Sequence, residues 1–293
     1  MSSINFNSSA SNALQTLRGI NNNLGKTQDR VSTGLKIGDA SDGAAYWSIA
    51  TTMKSDNKAL GAATDALGIG AAKVDTAYAA MDSAIDVVNQ IKAKLTTASE
   101  SSVNKDQVQL EIKKLQEQLS AIGQAASFNG ENWAVQSSTS SKTTVVDGFI
   151  RKTDGTVKVT NASFNSGSYA MFNSINTSGV GTGGLLAGVM TMALTSVMTQ
   201  GKIDSFLTTV ETALSKLTDG AAALGALSSR IDLQDEYSSK LSNAMEAGIS
   251  RLVDADMEEE SARLSALQTQ QQLAVQSLSI ANNSSQSLLS LFR

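Results

Sequence analysis

One short stretch of the chain carries residue types that hydrolytic enzymes use. Ser55-Asp-Asn-Lys58 contains the letters of both Ser-x-x-Lys and Ser-Asp-Asn. In Ser-Lys hydrolases these are two separate motifs that the fold brings together around a nucleophilic serine. Here they overlap, so on one helix they cannot converge on a substrate from different directions. We therefore predict that this stretch is not catalytic and that the chain is not an enzyme.

A second candidate for chemistry is the acidic cluster formed by Asp254, Asp256 and the run Glu258 to Glu260. Calcium prefers oxygen ligands, but an EF-hand loop needs alternating oxygens, a central glycine and a distal glutamate. The spacing here supplies none of these. Acidic residues in the first turn of a helix are stabilised by the helix dipole. We therefore predict the start of a helix here and no metal site.

Glycines recur through the segment from Ser32 to Gly43, which raises the question of phosphate binding. A P-loop requires Gly-Lys-Ser/Thr at the start of a helix that follows a strand, and neither feature is present. Glycine also permits turns between helices. The segment is therefore predicted to be a linker without a cofactor, with Asp42 as the N-cap of a helix that resumes at Ala44.

Composition excludes further classes of site. The chain contains no His and no Cys, which rules out disulfides, thiolate chemistry, His-based metal sites and Ser-His-Asp triads. A net charge of −4 without a basic run argues against nucleic acid as a partner. The weakly polar run Gly183 to Met198 is too short to span a bilayer, so no membrane insertion is predicted. The first residues do not form a Sec-type signal, so any export is expected to proceed without a cleaved signal.

Both ends of the chain carry apolar stripes at helical spacing. The last stretch, Leu264 to Arg293, is apolar around more than half of its circumference, because Leu273, Val275 and Ile280 lie off the main face. Burying each such side chain is worth roughly 1.5–3 kcal/mol, so this helix must be covered. We expect neighbouring copies to complete it, the alternative being its own domain. The predicted packing residues are Leu14, Leu17, Leu24, Val31, Leu264, Leu267, Leu278, Leu288 and Phe292.

The strongest helical pattern lies between the two ends. Apolar residues recur three or four apart from Leu60 to Leu95, and again from Val108 to Ala126 after a polar break. Two such stripes joined by a short polar turn predict an antiparallel helical hairpin. A helix is predicted to return at about Lys202. The predicted bundle core comprises Leu67, Val74, Met81, Val88, Leu95, Ile112 and Leu119.

The composition of the sequence changes from about Gln136 to Gly184, where Ser, Thr, Gly and Asn dominate. Asp154-Gly155 separates two β-branched runs, 143–151 and 156–160, and this pattern predicts a hairpin. Residues 169–172 are predicted to form another strand. The chain is thus predicted to be mainly α, with long helices at both ends and a small β-rich insert on the surface.

Several segments resemble the conserved ends of bacterial flagellins. Val31-Ser-Thr-Gly-Leu-Lys-Ile37, followed by Ser41-Asp-Gly-Ala-Ala45, resembles their spoke segment. Phe128-Asn-Gly130 resembles the end of their N-terminal conserved region, and Ser250-Arg-Leu-Val-Asp-Ala-Asp256 a motif of the C-terminal one. The Ser-Ile-Asn start and the Gln- and Leu-rich end also match. The resemblance covers about 1–135 and 200–293, in the right order, and is closest to short flagellins of rhizobial-type soil bacteria.

This resemblance implies a layered filament subunit for swimming motility. The implied spoke residues are Gly34, Leu35, Ile37 and Asp42. The implied divisions are an N-terminal inner-layer helix with spoke linker (1–43), an outer-layer hairpin (44–135), a surface insert (136–200), a C-terminal outer-layer helix (201–254) and a C-terminal inner-layer helix (255–293). A hook–filament junction protein of the same family is the alternative, and an adhesin role for the insert is a further one.

The resemblance also implies where the protein acts and what it meets. It implies unfolded export through the flagellar type III route to an extracellular filament. The implied partners are many copies of the same chain, sister flagellins, an export chaperone on the C-terminal helix, the filament cap and the hook-junction proteins. No cofactor is implied. The metalloprotease insert of a few flagellin relatives needs His-Glu-x-x-His, and this chain has no His.

Some residues depart from the family pattern. Gly43 replaces the second Asp of the spoke motif, and Tyr46-Trp47 follows in place of the common Gly-Leu, so spoke contacts are expected to differ in detail. Gln90 stands where many flagellins carry an Arg that contacts an innate-immune Toll-like receptor. Ala93 replaces the usual Glu of that contact, whereas Glu111 matches. The resemblance therefore implies weak or no receptor activation.

Overall fold

The computed structural model describes the backbone of residues 7–137 and 141–290, with side chains as far as residue 283. It is mainly helical with short strands in the middle of the chain, as predicted. The helices are α1 (Ser8–Thr33), α2 (Ala40–Ala98), α3 (Lys105–Ala125), α4 (Ala187–Met190), α5 (Gln200–Val253) and α6 (Met257–Ser290). The strands are β1 (Ser127–Phe128), β2 (Glu131–Asn132), β3 (Thr143–Arg151), β4 (Val157–Phe164), β5 (Ser174–Ile175) and β6 (Gly181–Thr182).

The chain divides into two compact units. Unit 1 comprises Met1–Asn57 and Asn243–Arg293, and unit 2 comprises Lys58–Ser242. Helices α2 and α5 contribute residues to both. The layers that the resemblance implies divide the chain elsewhere, at 43/44 and 254/255. Because a filament layer is defined by many copies, those layer boundaries stay a prediction.

In unit 1, the two terminal helices pair with each other. Asn7 caps α1, its Oδ1 accepting a hydrogen bond from Ala10 N at 3.0 Å. The Asn7 Nδ2 donates to Ala281 O at 3.0 Å, and the Gln271 Nε2 donates to Asn21 Oδ1 at 2.8 Å. Since low numbers on α1 meet high numbers on α6, the two helices run antiparallel.

The acidic cluster forms the start of α6, as predicted. Asp256 Oδ1 accepts hydrogen bonds from the backbone N of Glu258 at 3.0 Å and of Glu259 at 3.2 Å, which makes it an N-cap. Glu258, Glu259 and Glu260 occupy the first turn, where the helix dipole stabilises negative charge. Helix geometry therefore accounts for this cluster.

The glycine-rich linker is held by main-chain hydrogen bonds. Gly34 ends α1 with φ of 72°, a backbone conformation that favours glycine, and its N–H donates to Arg30 O at 2.8 Å. The N–H groups of Lys36 and Ile37 donate to Val253 O at 2.7 and 3.2 Å. The linker is therefore an ordered short pairing with the end of α5.

Asp42 has a different role from the predicted one. Helix α2 begins at Ala40, ahead of Ala44, and is kinked at Gly43. The Asp42 carboxylate reaches back, its Oδ2 accepting from the backbone N of Gly38 at 3.1 Å and of Asp39 at 3.3 Å. It thus closes the turn before the helix, as the acid of a capping box does. The prediction of Asp42 as an N-cap was wrong.

The core of unit 2 lies among α2, α3 and α5. The predicted hairpin is present, because α2 and α3 are joined by the short polar turn Ser99 to Asn104. Trp133 stacks on Phe164, with ring centroids 5.9 Å apart, and Phe164 stacks on Tyr169 at 5.7 Å. Each residue of the predicted bundle core is buried, with an exposed fraction of 2% or less: Leu67, Val74, Met81, Val88, Leu95, Ile112 and Leu119.

The β-rich insert contains the predicted hairpin. Strands β3 and β4 pair antiparallel, from Thr143 opposite Phe164 to Arg151 opposite Val157, and the turn holds Asp154-Gly155. The prediction of a strand at 169–172 was wrong, because there only Phe172 forms a bridge, to Val135. The packing requirement of the core explains this difference, since Phe172 is fully buried against the helices of unit 2.

Part of the insert is core rather than surface. Met171, Phe172, Leu186 and Val189 have no measurable exposure and belong to the same buried cluster as Val88 and its helical neighbours. The sequence placed this segment on the surface because of its Ser, Thr and Gly content. The few apolar side chains among those small residues nevertheless suffice to anchor it.

Helix α3 holds the insert by its polar side chains. The buried Gln116 donates from Nε2 to Val189 O at 2.7 Å and to Met192 O at 3.1 Å. Ser120 Oγ accepts from Gly181 N at 3.2 Å, and Gln109 Oε1 accepts from Leu194 N at 2.6 Å. The irregular backbone of the insert thus obtains hydrogen-bond partners that a strand ladder would otherwise supply.

We expect Gln116→Met to destabilise unit 2 by about 2 kcal/mol, because two buried carbonyl groups lose their donor. Urea unfolding of the monomer, followed by the signal of the buried Trp133, measures this change. Gln118→Met is the matched control. Gln118 lies exposed on the same helix, so its substitution should change the free energy of unfolding by less than ~0.5 kcal/mol. Equal effects of the two substitutions would contradict the role given to Gln116.

Candidate assembly surface

The stripes predicted for the two chain ends meet within one chain. Leu24 and Leu267 are buried between α1 and α6. Leu17, Val31, Leu264 and Leu278 are half-buried, and Leu14 is exposed. Leu288 lies in the part of α6 whose side chains are not described, and Phe292 lies outside the described residues. Among the described side chains, each predicted packing residue except Leu14 is therefore at least half-buried in the single chain.

Three apolar side chains of α6 that lie outside its contact with α1 are exposed. Leu273, Val275 and Ile280 are 60%, 52% and 69% exposed. These are the three residues that lie off the main stripe in the sequence, so the pairing with α1 leaves them uncovered. Burying them would contribute roughly 1.5–3 kcal/mol each. At about 100° per residue, Leu273 and Ile280 lie ~20° apart on the side of α6 away from Leu267, hereafter its outward face, whereas Val275 lies ~150° around the helix from them. An exposed apolar pair of this kind is the candidate interaction site of the helix.

A partly buried ion pair joins α1 to α6. Arg30 Nη1 lies 3.1 Å from Glu260 Oε1, and the Glu260 residue is only 5% exposed. Arg263 Nη1 approaches the same oxygen at 3.5 Å. Removing one member of such a pair leaves a buried charge uncompensated, so it favours one register of the two helices over others.

The sequence carries a signal for one member of this ion pair. Glu260 lies four residues before Leu264 and seven before Leu267, on the same apolar stripe of α6. A charged residue on such a stripe must be paired when the stripe is buried. Its partner, Arg30, has no comparable signal, because it lies 230 positions away.

The residues of the implied spoke segment follow the C-terminal end of α1. Leu35 forms an antiparallel bridge with Asp254, and Ile37 is buried in a small cluster with Ala50 and Val253. Hydrogen bonds from the backbone N–H groups of Asp39 and Gly38 lower the pKa of Asp42, and nearby Arg30 and Lys26 act in the same direction. Asp42 therefore remains ionised well below neutral pH and keeps the turn closed.

The residues considered for enzyme chemistry, 55–58, lie on α2 and differ in burial. Asn57 Nδ2 donates to Glu246 Oε1 at 3.2 Å, and Asp56 is buried, whereas Ser55 and Lys58 lie exposed on α2. Within the described residues, no group of three or more His, Cys, Asp or Glu is placed to hold a metal ion. In that same part of the chain, no helix is both long and apolar enough to cross a membrane.

The positions for which the resemblance implies a receptor contact lie on α2 and α3. Gln90 and Ala93 are exposed on α2. Glu111 Oε2 on α3 forms an ion pair with Lys94 Nζ at 2.6 Å. Glu111, the acid that matches the family pattern, is thus paired with a lysine of the same chain.

Comparison with known proteins agrees with this arrangement. Residues 4–139 match the family model of the bacterial flagellin N-terminal helical region, and residues 207–292 match that of the C-terminal helical region. Flagellin C of Rhizobium meliloti (strain 1021) is 43% identical over 320 aligned residues, covering 100% of both chains. The flagellin of Brucella melitensis biotype 1 is 45% identical over 296, again covering 100% of both. Flagellin A of Rhizobium meliloti (strain 1021) is 40% identical over 394, with the same coverage.

Proposed function

This chain belongs to the bacterial flagellin family, and from that premise we propose how its surfaces build a filament. The protein is a structural subunit that polymerises into the extracellular flagellar filament, which serves swimming motility. Its relatives are structural proteins, and we infer that the chain has no catalytic activity of its own. The residues that bring subunits together are therefore the functional residues of this protein.

We propose that assembly is driven by the outward face of α6. The observation that carries this proposal is the exposure of Leu273 and Ile280 on one face of α6, beside a helix pair that is already closed on its other side. Neighbouring copies would cover this face, and the apolar end of the chain would extend the contact. The predicted packing residues would then act in two ways, closing the pair within one chain and fitting it against its neighbours: Leu14, Leu17, Leu24, Val31, Leu264, Leu267, Leu278, Leu288 and Phe292.

The layer assignment belongs to the same proposal. Residues 1–43 and 255–293 would form the inner layer, and 44–135 with 201–254 the outer one, around the insert 136–200 on the filament surface. Support comes from the antiparallel pairing of α1 with α6 in unit 1 and from the separate buried core of unit 2. The spoke residues Gly34, Leu35, Ile37 and Asp42 would connect the layers.

Seeded elongation of purified monomer tests this proposal. We expect short filament fragments to grow at their ends into long filaments, because each added copy covers the apolar face of the previous ones. A hook–filament junction protein would instead cap the seeds and stop growth, and no observation on this chain favours that alternative. Seeds that do not lengthen would overturn the proposal.

The proposed partners follow from family membership. They are further copies of the chain, an export chaperone on α6, the filament cap and the hook-junction proteins, after unfolded export through the flagellar type III route. Mixed filaments with sister flagellins are supported by the occurrence of flagellins A, B, C and D in Rhizobium meliloti. Pull-down of the chaperone with α6 deleted, compared with the full chain, tests the first of these contacts.

We expect this flagellin to activate the innate-immune Toll-like receptor weakly or not at all. Gln90 lacks the guanidinium that an Arg would present, and loss of one hot-spot Arg costs about 2 kcal/mol, which is roughly thirtyfold in affinity. A reporter-cell assay with monomer measures activation against a flagellin that carries the Arg.

Substitutions that should increase receptor activation provide a second test. Gln90→Arg with Ala93→Glu should raise activation, because it restores the two missing side chains on an exposed surface. Asn89→Arg is the matched control, since it adds the same charge at the neighbouring exposed position. Potent activation by the unaltered protein would refute the prediction.

A further inference from the structure

A groove between α1 and α6 carries a surplus of positive charge. It has a volume of about 450 Å³ and is lined by Lys26 and Arg30 from α1 and by Arg263 and Leu267 from α6, among others. In the described part of the chain, this lining contains no carboxylate. The groove is therefore suited to an anionic group that approaches from outside.

The cations of the groove are only partly neutralised within the chain. Glu260 lies beneath them and pairs with both Arg30 and Arg263. Its Oε1 makes these contacts, and its Oε2 is buried without a hydrogen-bond partner among the described residues. Lys26 forms no ion pair in the described part of the chain. Glu260 thus fixes two guanidinium groups, whereas Lys26, which acts on Asp42 from nearby without forming an ion pair with it, keeps an ammonium group for a partner.

Several acidic residues of unit 1 lie near the linker after α1 and near the start of α6. Asp29 and Asp39 line a second cavity, of about 380 Å³, together with Leu35. Leu35 bridges to Asp254, and Glu258 follows in the first turn of α6. These four carboxylates, hereafter the acidic edge, form no ion pair within the described residues. Unit 1 therefore carries a cluster of acids as well as a basic groove.

The groove and the acidic edge adjoin, since Lys26 and Arg30 line both cavities. At about 100° per residue, Glu258 lies ~140° around the helix from Arg263. A helical polymer requires a heterologous contact, in which one patch of a subunit meets a different patch of the next. The basic groove between α1 and α6 and the acidic edge, which runs from the end of α1 through the linker to the start of α6, are two different patches and meet that requirement.

We propose that the basic groove of one copy receives the acidic edge of a second copy in the filament. This inference rests on the proposed function and names the partner surface of the charged groove, which the apolar contact alone leaves open. Complementary charge steers approach and fixes register more than it adds affinity. Elongation should therefore be fastest at low ionic strength.

Zero-length cross-linking tests the contact directly. A carbodiimide joins an amine to a carboxylate with loss of water, and only when the two groups touch. In wild-type filaments we expect Lys26 to be linked to peptides that contain Asp39, Asp254 or Glu258. Filaments grown from mixed isotope-labelled and unlabelled chains identify links between different copies. Links of Lys26 that are absent, or that occur only within one chain, would overturn the proposal.

Two variants of Lys26 separate charge from fold. Lys26→Arg keeps the charge but removes the amine, so elongation should persist while the cross-link disappears. Lys26→Glu should slow elongation about tenfold in dilute buffer, and the difference should vanish at about 1 M salt, where the Debye length is about 3 Å. Lys54→Glu is the matched control, since Lys54 is exposed in unit 1 but lines neither cavity.

The outcomes distinguish this inference from the function on which it rests. If wild-type monomer elongates seeds and Lys26→Glu does so equally fast in dilute buffer, filament assembly stands and the charged contact falls. If wild-type monomer fails to elongate, the proposed assembly falls and the contact with it. Circular dichroism of the variants confirms that each retains its helical content.

Discussion

Ile280→Asp should stop filament elongation and leave the monomer folded. Ile280 is 69% exposed in the single chain, so an aspartate there is solvated and costs the monomer little. In the assembled state the same position would bury a charge against neighbouring copies. The lost apolar burial and the unpaired carboxylate together cost at least about 3 kcal/mol, which raises the critical concentration roughly a hundredfold. Sedimentation of filaments at increasing monomer concentration measures this value.

A conservative substitution provides the control for this result. Ile280→Leu keeps the volume and the apolar character, so its critical concentration should stay within a few-fold of wild type. Far-UV circular dichroism should be the same for both variants as monomers. If Ile280→Asp assembled as readily as Ile280→Leu, the outward face of α6 would not be the assembly surface.

Leu278→Asp provides a comparison on the other side of the same helix. Leu278 is half-buried on the stripe that faces α1, so its aspartate should loosen the helix pair within the monomer as well as block assembly. Amide exchange along α6 distinguishes the two variants. We expect faster exchange with Leu278→Asp and unchanged exchange with Ile280→Asp.

Deletion of Leu288 to Arg293 should also block elongation, while unit 2 remains folded. These residues include Leu288, Leu289, Leu291 and Phe292, a run whose burial would contribute several kcal/mol at ~1.5–3 kcal/mol each. The core of unit 2 is built from residues 58–242 and does not include them. Seeded growth followed by electron microscopy measures the effect.

The buried aromatic stack reports on the fold of the truncated chain. Trp133 packs on Phe164 in unit 2, so near-UV circular dichroism should retain its signal after the deletion. Removing Arg293 alone is the matched control, because it shortens the chain and changes its charge but keeps the apolar run. Filaments of normal length from the six-residue deletion would contradict the mechanism, and so would loss of growth in the control.

The helices and their buried faces were predictable because both depend on local order in the chain. The three-and-four spacing from Leu60 to Leu95 identifies one face of a helix, and burial of that face does not depend on which partner covers it. The hairpin turn at Asp154-Gly155 was predictable for a related reason, since the turn conformation itself selects those residue types. The predicted core residues of unit 2 are accordingly all buried.

The anchoring of the insert was not predictable in this way. Phe172 has the character of a strand residue in the sequence, but it fills the core between helices and forms a single β-bridge with Val135. Gln116 has the character of an ordinary polar residue of α3, but it holds the backbone of Val189 and Met192. Both roles depend on contacts between segments far apart in sequence, about which spacing carries no information.

The amino-acid sequence by itself determined the helical class of this protein, the absence of His and Cys chemistry, and the excess of apolar surface on its last helix. Only the tertiary structure decided which of those apolar faces is covered within one chain. It also placed Glu260 between Arg30 and Arg263. The physical reason is that periodicity describes one helix at a time, whereas burial and ion pairing are properties of two surfaces in contact.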